Sequence, residues 1–142
     1  MNLIKFLQIK YYKILFFAHV DFRDHIAAKY AHKIALLGDA WGQHEYGYFL
    51  ATGKGIPKNE TEAVKWYQKA AEQGFLWAEA NLGWCYWKGL GVTQDYVQAA
   101  RWYRKAAEKG HAPSQYNLGI IYLHGLGIER NQAEGEKWIR LA

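Results

Sequence analysis

Residues 66–91 read WYQKAAEQGFLWAEANLGWCYWKGLG, and residues 102–127 read WYRKAAEKGHAPSQYNLGIIYLHGLG. Trp66-Tyr67 returns as Trp102-Tyr103, Gly74 as Gly110, Leu82-Gly83 as Leu118-Gly119, and Gly89 and Gly91 as Gly125 and Gly127. Every offset is 36 residues. A fixed period of this size is the signature of a repeat array, in which each unit buries its apolar face only by stacking on a neighbour.

The period extends upstream. Gly47, Gly53 and Gly55 precede Gly83, Gly89 and Gly91 by the same step. Ala27, Tyr30, Ala31, Ile34, Ala35 and Gly38 align with Ala63, Trp66, Tyr67, Ala70, Ala71 and Gly74, and Val20 aligns with Ile56. Before Val20 the pattern fades. Within each unit two helices are expected. Ala99, Trp102, Tyr103, Ala106 and Ala107 fall at i, i+3, i+4, i+7 and i+8, the apolar stripe of an amphipathic helix. Asn59, Asp95 and Asn131 stand where side-chain acceptors cap the free N–H groups of a helix start. Gly74 and Gly110 stand where a left-handed residue ends one. These second helices are expected at about 24–37, 60–73, 96–109 and 132–142. First helices are expected at about 40–52, 76–88 and 112–124, with packing stripes on Gly42, Tyr46, Phe49 and Leu50, on Ala78, Leu82, Cys85 and Tyr86, and on Ser114, Leu118, Ile121 and Tyr122. Gly47, Gly83 and Gly119 lie inside them, where glycine costs about 1 kcal/mol relative to alanine. Three copies in one register predict a partner helix passing too close for a side chain. No sheet is expected.

Composition adds bounds. A hydrophobic share of 51% supports a packed core rather than disorder. The net charge of +5 includes Lys5, Lys10 and Lys13, with no acid among the first 20 residues. The nearly balanced remainder argues against nucleic acid as a partner. The single cysteine, Cys85, rules out an intramolecular disulfide and fits a reducing, cytoplasmic setting. Residues 1–23 read as a divergent capping segment, and 24–142 as the repeat domain. The alternative reading makes residues 1–20 a signal or anchor, with an exported or periplasmic protein. The apolar runs there are short and broken by lysines, against spanning a bilayer.

The pattern Ala78, Leu82, Gly83, Tyr86, Gly89, Gly91, Val92, Asp95, Ala99, Trp102, Tyr103, Lys105, Ala106, Ala107 and Gly110 resembles the Sel1-like repeat. The resemblance implies an all-α, right-handed α/α solenoid akin to tetratricopeptide repeats, acting as an adaptor for protein–protein interaction. It departs from the pattern at Tyr46 and Leu50, and at Gly135 and Ile139, which replace the usual alanine and tyrosine. Some cysteine-rich members have been linked to β-lactam binding and hydrolysis. The cysteine pairs of those members are absent here, so an enzyme of that kind is the second reading.

If the first helices line the inner surface, as in related solenoids, a partner meets the stripe not used for packing. That stripe is Trp77, Asn81, Trp84 and Lys88, with Trp41, Glu45, Tyr48 and Thr52 equivalent before it and Pro113, Asn117, Ile120 and His124 after it. A concave groove carrying Trp41, Tyr48, Trp77 and Trp84 is the expected binding face, because exposed Trp and Tyr dominate interface energetics. The alternative is that these rings pack against neighbouring units. His25 and His32 share a helix but lack the further ligands of a zinc site. Cys85 lies on a packing stripe with no base beside it. No catalytic, cofactor or metal site is therefore expected. Weak self-association is expected where Trp138, Ile139 and Ala142 end the last unit.

Overall fold

The computed structural model describes residues 1–20 and 24–142. Residues 21–23, where the expected boundary between capping segment and repeat domain falls, lie outside the described residues. Among the described residues there are eight helices and no strand. They are α1 (Leu3–Phe17), α2 (Asp24–Leu36), α3 (Ala40–Thr52), α4 (Glu60–Glu72), α5 (Leu76–Lys88), α6 (Tyr96–Glu108), α7 (Ala112–His124) and α8 (Gln132–Leu141). The seven helices of the repeats lie within one residue of the spans expected from the sequence. The chain forms two compact units, Met1–Phe75 with α1–α4 and Leu76–Ala142 with α5–α8.

The helix boundaries follow from local chemistry. Asn59 accepts from the Glu62 N–H, Asp95 from those of Val97 and Gln98, and Asn131 from that of Glu134, each bond 2.9–3.0 Å long. At the other end, the Gly74 N–H bonds to Ala71 O and the Phe75 N–H to Ala70 O, a pattern repeated at Gly110 and His111. This pair of crossed bonds needs a left-handed residue, and φ is +79° at Gly74 and +85° at Gly110. The residue after the glycine then serves twice. The His111 N–H closes α6 while its imidazole caps α7, and Asp39 does the same between α2 and α3. Three-residue junctions of this kind join α2 to α3 and α6 to α7.

Packing explains the interior glycines. A Cβ on Gly47 would sit 2.9 Å from ring atoms of Tyr67, and one on Gly83 would sit 2.7 Å from Tyr103. At Gly119 the obstacle is Ile139, at 2.6 Å. Tyr67, Tyr103 and Ile139 are themselves 36 residues apart, so the close crossing is a property of the repeat. The second helices make this approach possible by facing their partners with alanine. Ala27, Ala63, Ala99 and their companions at Ala31, Ala70 and Ala106 are completely buried. The substitution at Gly135 has a local cause: a Cβ there would meet the Leu123 side chain at 2.7 Å.

The first unit centres on Ile9, Phe16, Ala28, Ala31, Ile34 and Phe49. The second centres on Ala99, Tyr103, Ala107, Leu118 and Ile121, with Trp138 packed against them. Thus Trp138 and Ile139, expected to be bare at the end of the array, are both half-buried by their own unit.

A candidate partner-binding face on the first helices

The stripe left over after packing is indeed the more open side of α5. Ala78, Leu82 and Cys85 are buried, while Trp77 is 55% and Trp84 is 45% exposed. These two indoles stand seven residues apart, two helical turns, and so point the same way. Lys88 places its ammonium 4.9 Å from the centre of the Trp84 ring, and Asn81 lies half-buried between the two tryptophans. Trp77 rests edge-on against the His111 imidazole with ring centres 5.2 Å apart, which ties this face to the start of α7. On α7, His124 is exposed and Asn117 half-buried. Asn117 is directed toward the buried hydroxyl of Tyr103, whose pKa burial raises.

In the first unit the equivalent residues of α3 have different fates. Tyr48 is exposed, and its hydroxyl accepts a 3.1 Å bond from Lys54 Nζ. That bond raises the lysine's pKa. Glu45 is half-buried, 2.9 Å from His44 Nδ1. Trp41 already has neighbours. Phe16 of α1 meets it edge-on at 4.8 Å, Phe17 lies 5.5 Å away, and Lys13 Nζ sits 5.0 Å from its ring centre. The repeat pattern assigns Trp41 to the same stripe as Trp77, but it cannot show that α1 covers it.

Sequence reading missed one further set of side chains. Gln43, Glu79 and Gln115, again 36 residues apart, are polar yet buried at the fourth position of α3, α5 and α7. Gln43 Oε1 accepts from Gln73 Nε2 at 2.8 Å, Glu79 Oε1 accepts from Lys109 Nζ at 2.6 Å, and Gln115 donates to Ala107 O at 3.0 Å. Each therefore locks the start of a first helix to the end of a second one. A recurring polar residue beside the apolar stripe was the available signal.

His111 gives the second unit an acid sensitivity. Its Nδ1 accepts from the Ser114 N–H at 3.3 Å and lies 2.8 Å from Ser114 Oγ, which requires an unprotonated nitrogen. Burial lowers the pKa of this ring below its ordinary 6.5. His32, stacked on Tyr46 at 4.2 Å, is lowered for the same reason. The unfolded chain therefore takes up these protons first, and folded stability falls as pH drops from about 6.5 through the lower folded values. We expect the melting midpoint, followed by circular dichroism, to fall between pH 7 and pH 5. His111→Asn, which keeps a capping acceptor without a titrating ring, should lose measurably less over that interval. An equal loss in both proteins would exclude His111 as a source.

Comparison with known proteins agrees with this architecture. The Sel1 repeat family matches at residues 42–75, 78–111 and 112–142. Among curated proteins none matches. Among solved structures, a Sel1 repeat protein from Oxalobacter formigenes is 34% identical, with a TM-score of 0.82, over 94% of this chain and 52% of that one. A protective antigen of uropathogenic Escherichia coli displaying an SLR fold is 31% identical, with a TM-score of 0.80, over 82% of this chain and 25% of that one. Cysteine-rich protein B of Helicobacter pylori is 26% identical, with a TM-score of 0.59, over 62% of this chain and 66% of that one. The chain thus spans about half or less of the first two. With capped helix pairs at a 36-residue period, and a family match over more than two-thirds of its length, this chain belongs to the Sel1 repeat family.

Proposed function

We propose that the chain is a non-catalytic interaction module that holds a segment of a partner protein on the open face of its first helices. Sel1 repeats commonly serve as protein-interaction modules, and the observation that narrows this to a face is the pair Trp77 and Trp84. Two large rings held on a rigid helix lose little entropy on binding and offer much apolar area, the character of interface hot spots. Asn81, Lys88, Asn117 and His124 supply polar contacts around them, and Glu45 and Tyr48 hold the equivalent positions of α3. Trp41 contributes less directly, since it leans on α1.

The test is capture of partners from lysate with wild-type protein and with Trp77→Ala/Trp84→Ala. Both indoles are well exposed, so the double variant should keep the wild-type helicity. Val97→Ala, an exposed apolar change on α6, is the control. Loss of even one hot spot of about 2 kcal/mol corresponds to roughly a 30-fold weaker complex. The expected result is one or more protein partners retained by wild type and the control and lost by the double variant. Equal recovery by all three would refute the assignment to this face. Binding that collapses with salt and is independent of the tryptophans would point instead to a polyanion.

A further inference from the structure

The N-terminal helix α1 is apolar on both its inner and its outer side. Ile9 and Phe16 turn inward to the first unit's core, as expected of a capping helix. The opposite side should then be polar. Instead it carries Leu3, Ile4, Leu7, Tyr11 and Ile14, each between 54% and 70% exposed. Meanwhile Lys5 and Lys13 occupy half-buried positions, and Lys13 is paired with Asp39 at 3.0 Å. Eight of the fifteen exposed large apolar residues among the described residues lie between Met1 and Phe17. Contiguous apolar surface of this kind is kept by soluble proteins only where something covers it.

Charge identifies the cover. Residues 1–38 hold six of the 18 basic residues and two of the 13 acids, a net +4 of the whole chain's +5. There is no acid in α1 at all, and Lys10, with its ammonium 4.8 Å from the Phe6 ring centre, sits exposed beside the apolar face. A second copy meeting the same face would bring two such basic helix pairs together. The Ile4, Leu7, Tyr11 and Ile14 spacing also provides only two heptads, short of a stable coiled-coil seam. A surface that is apolar beneath and negative above suits the helix better. At 15 residues it is about 22 Å long, too short to cross a hydrocarbon core of about 30 Å. No helix among the described residues is long and apolar enough to cross a membrane.

We propose that α1 lies in the plane of an anionic lipid bilayer, with Leu3, Ile4, Leu7, Tyr11 and Ile14 in the acyl boundary and Lys10 at the headgroups. Interfacial helices bind by this combination of buried apolar area and attraction to anionic lipid. The binding face of α5 is not involved, so the two proposals fail independently.

The experiment is co-sedimentation of the full chain with vesicles of phosphatidylcholine containing about one-third phosphatidylglycerol, and with vesicles of phosphatidylcholine alone. Wild type should pellet with the anionic vesicles only. Leu7→Glu/Ile14→Glu should reduce the bound fraction at least tenfold, and Lys10→Glu several-fold. Circular dichroism should show helicity unchanged, because all three residues are exposed. Equal pelleting of wild type and the double variant, equal pelleting with both vesicle types, or no pelleting of wild type would overturn the proposal. So would a concentration-dependent dimer that Leu7→Glu/Ile14→Glu dissolves and that does not bind vesicles, since that result gives the face to a second copy.

Discussion

Changing Lys109 to alanine should destabilise the second unit by about 2–3 kcal/mol, although lysine at the end of a helix is ordinarily an unremarkable surface residue. The reason is its partner. Glu79 is only 2% exposed, and its Oε2 has no hydrogen-bond partner, so the 2.6 Å contact from Lys109 to Oε1 is its main compensation. Removing one member of a buried pair costs about 3–5 kcal/mol. The lysine side chain is itself 42% exposed, so solvent screening brings the expected loss below that range. The repeat supplies its own control. The equivalent pair in the first unit is Gln43 with Gln73, joined by a neutral 2.8 Å bond. Glu79→Gln/Lys109→Gln rebuilds that pair and should return to within about 1 kcal/mol of wild type. Urea denaturation of the three proteins measures both numbers. A double variant no better than Lys109→Ala would show that the carboxylate itself, and not a satisfied polar contact, is what this position needs.

Gly83→Ala should lower stability by about 1–3 kcal/mol, the cost of overpacking a filled core. The sign is the informative part, because the same change inside an open helix raises stability by about 1 kcal/mol. Here a methyl group would come within 2.7–3.0 Å of three atoms of the Tyr103 ring. That ring is buried on all sides and cannot swing away. Separating α5 from α6 instead would loosen the core in which Ala99 and Tyr103 are buried. Gly47→Ala should show the same sign through Tyr67, whose ring atoms lie at 2.9 Å. Thermal melts of both variants decide the matter. A rise in the midpoint for either would mean that the crossing is looser than the structure shows.

These two predictions draw differently on the sequence. The glycine register at 47, 83 and 119 and its close-packing cause were readable directly, because a residue unfavourable in a helix recurs three times at one place. The obstacle was also encoded at the same period, in Tyr67, Tyr103 and Ile139, but naming it required the helix crossing. The polar interlock was harder to see. Glu79 and Lys109 are 30 residues apart, and each alone looks like a solvated charge. Of the stripe expected to bind a partner, Trp77, Trp84 and Tyr48 are exposed, whereas Trp41 packs against α1.

By itself, the sequence determined the seven-helix plan from residue 24 onward, the caps, the stops and the alanine-lined crossings. Those features are governed by interactions within four residues or by a period repeated until it is unmistakable. Tertiary structure alone decided how α1 is turned. Its residues are apolar nearly all round, so no periodicity marks an inner face. Only the space beside Trp41 and Phe49, filled by Phe16, sets Ile9 inward and leaves Leu7 and Ile14 facing out.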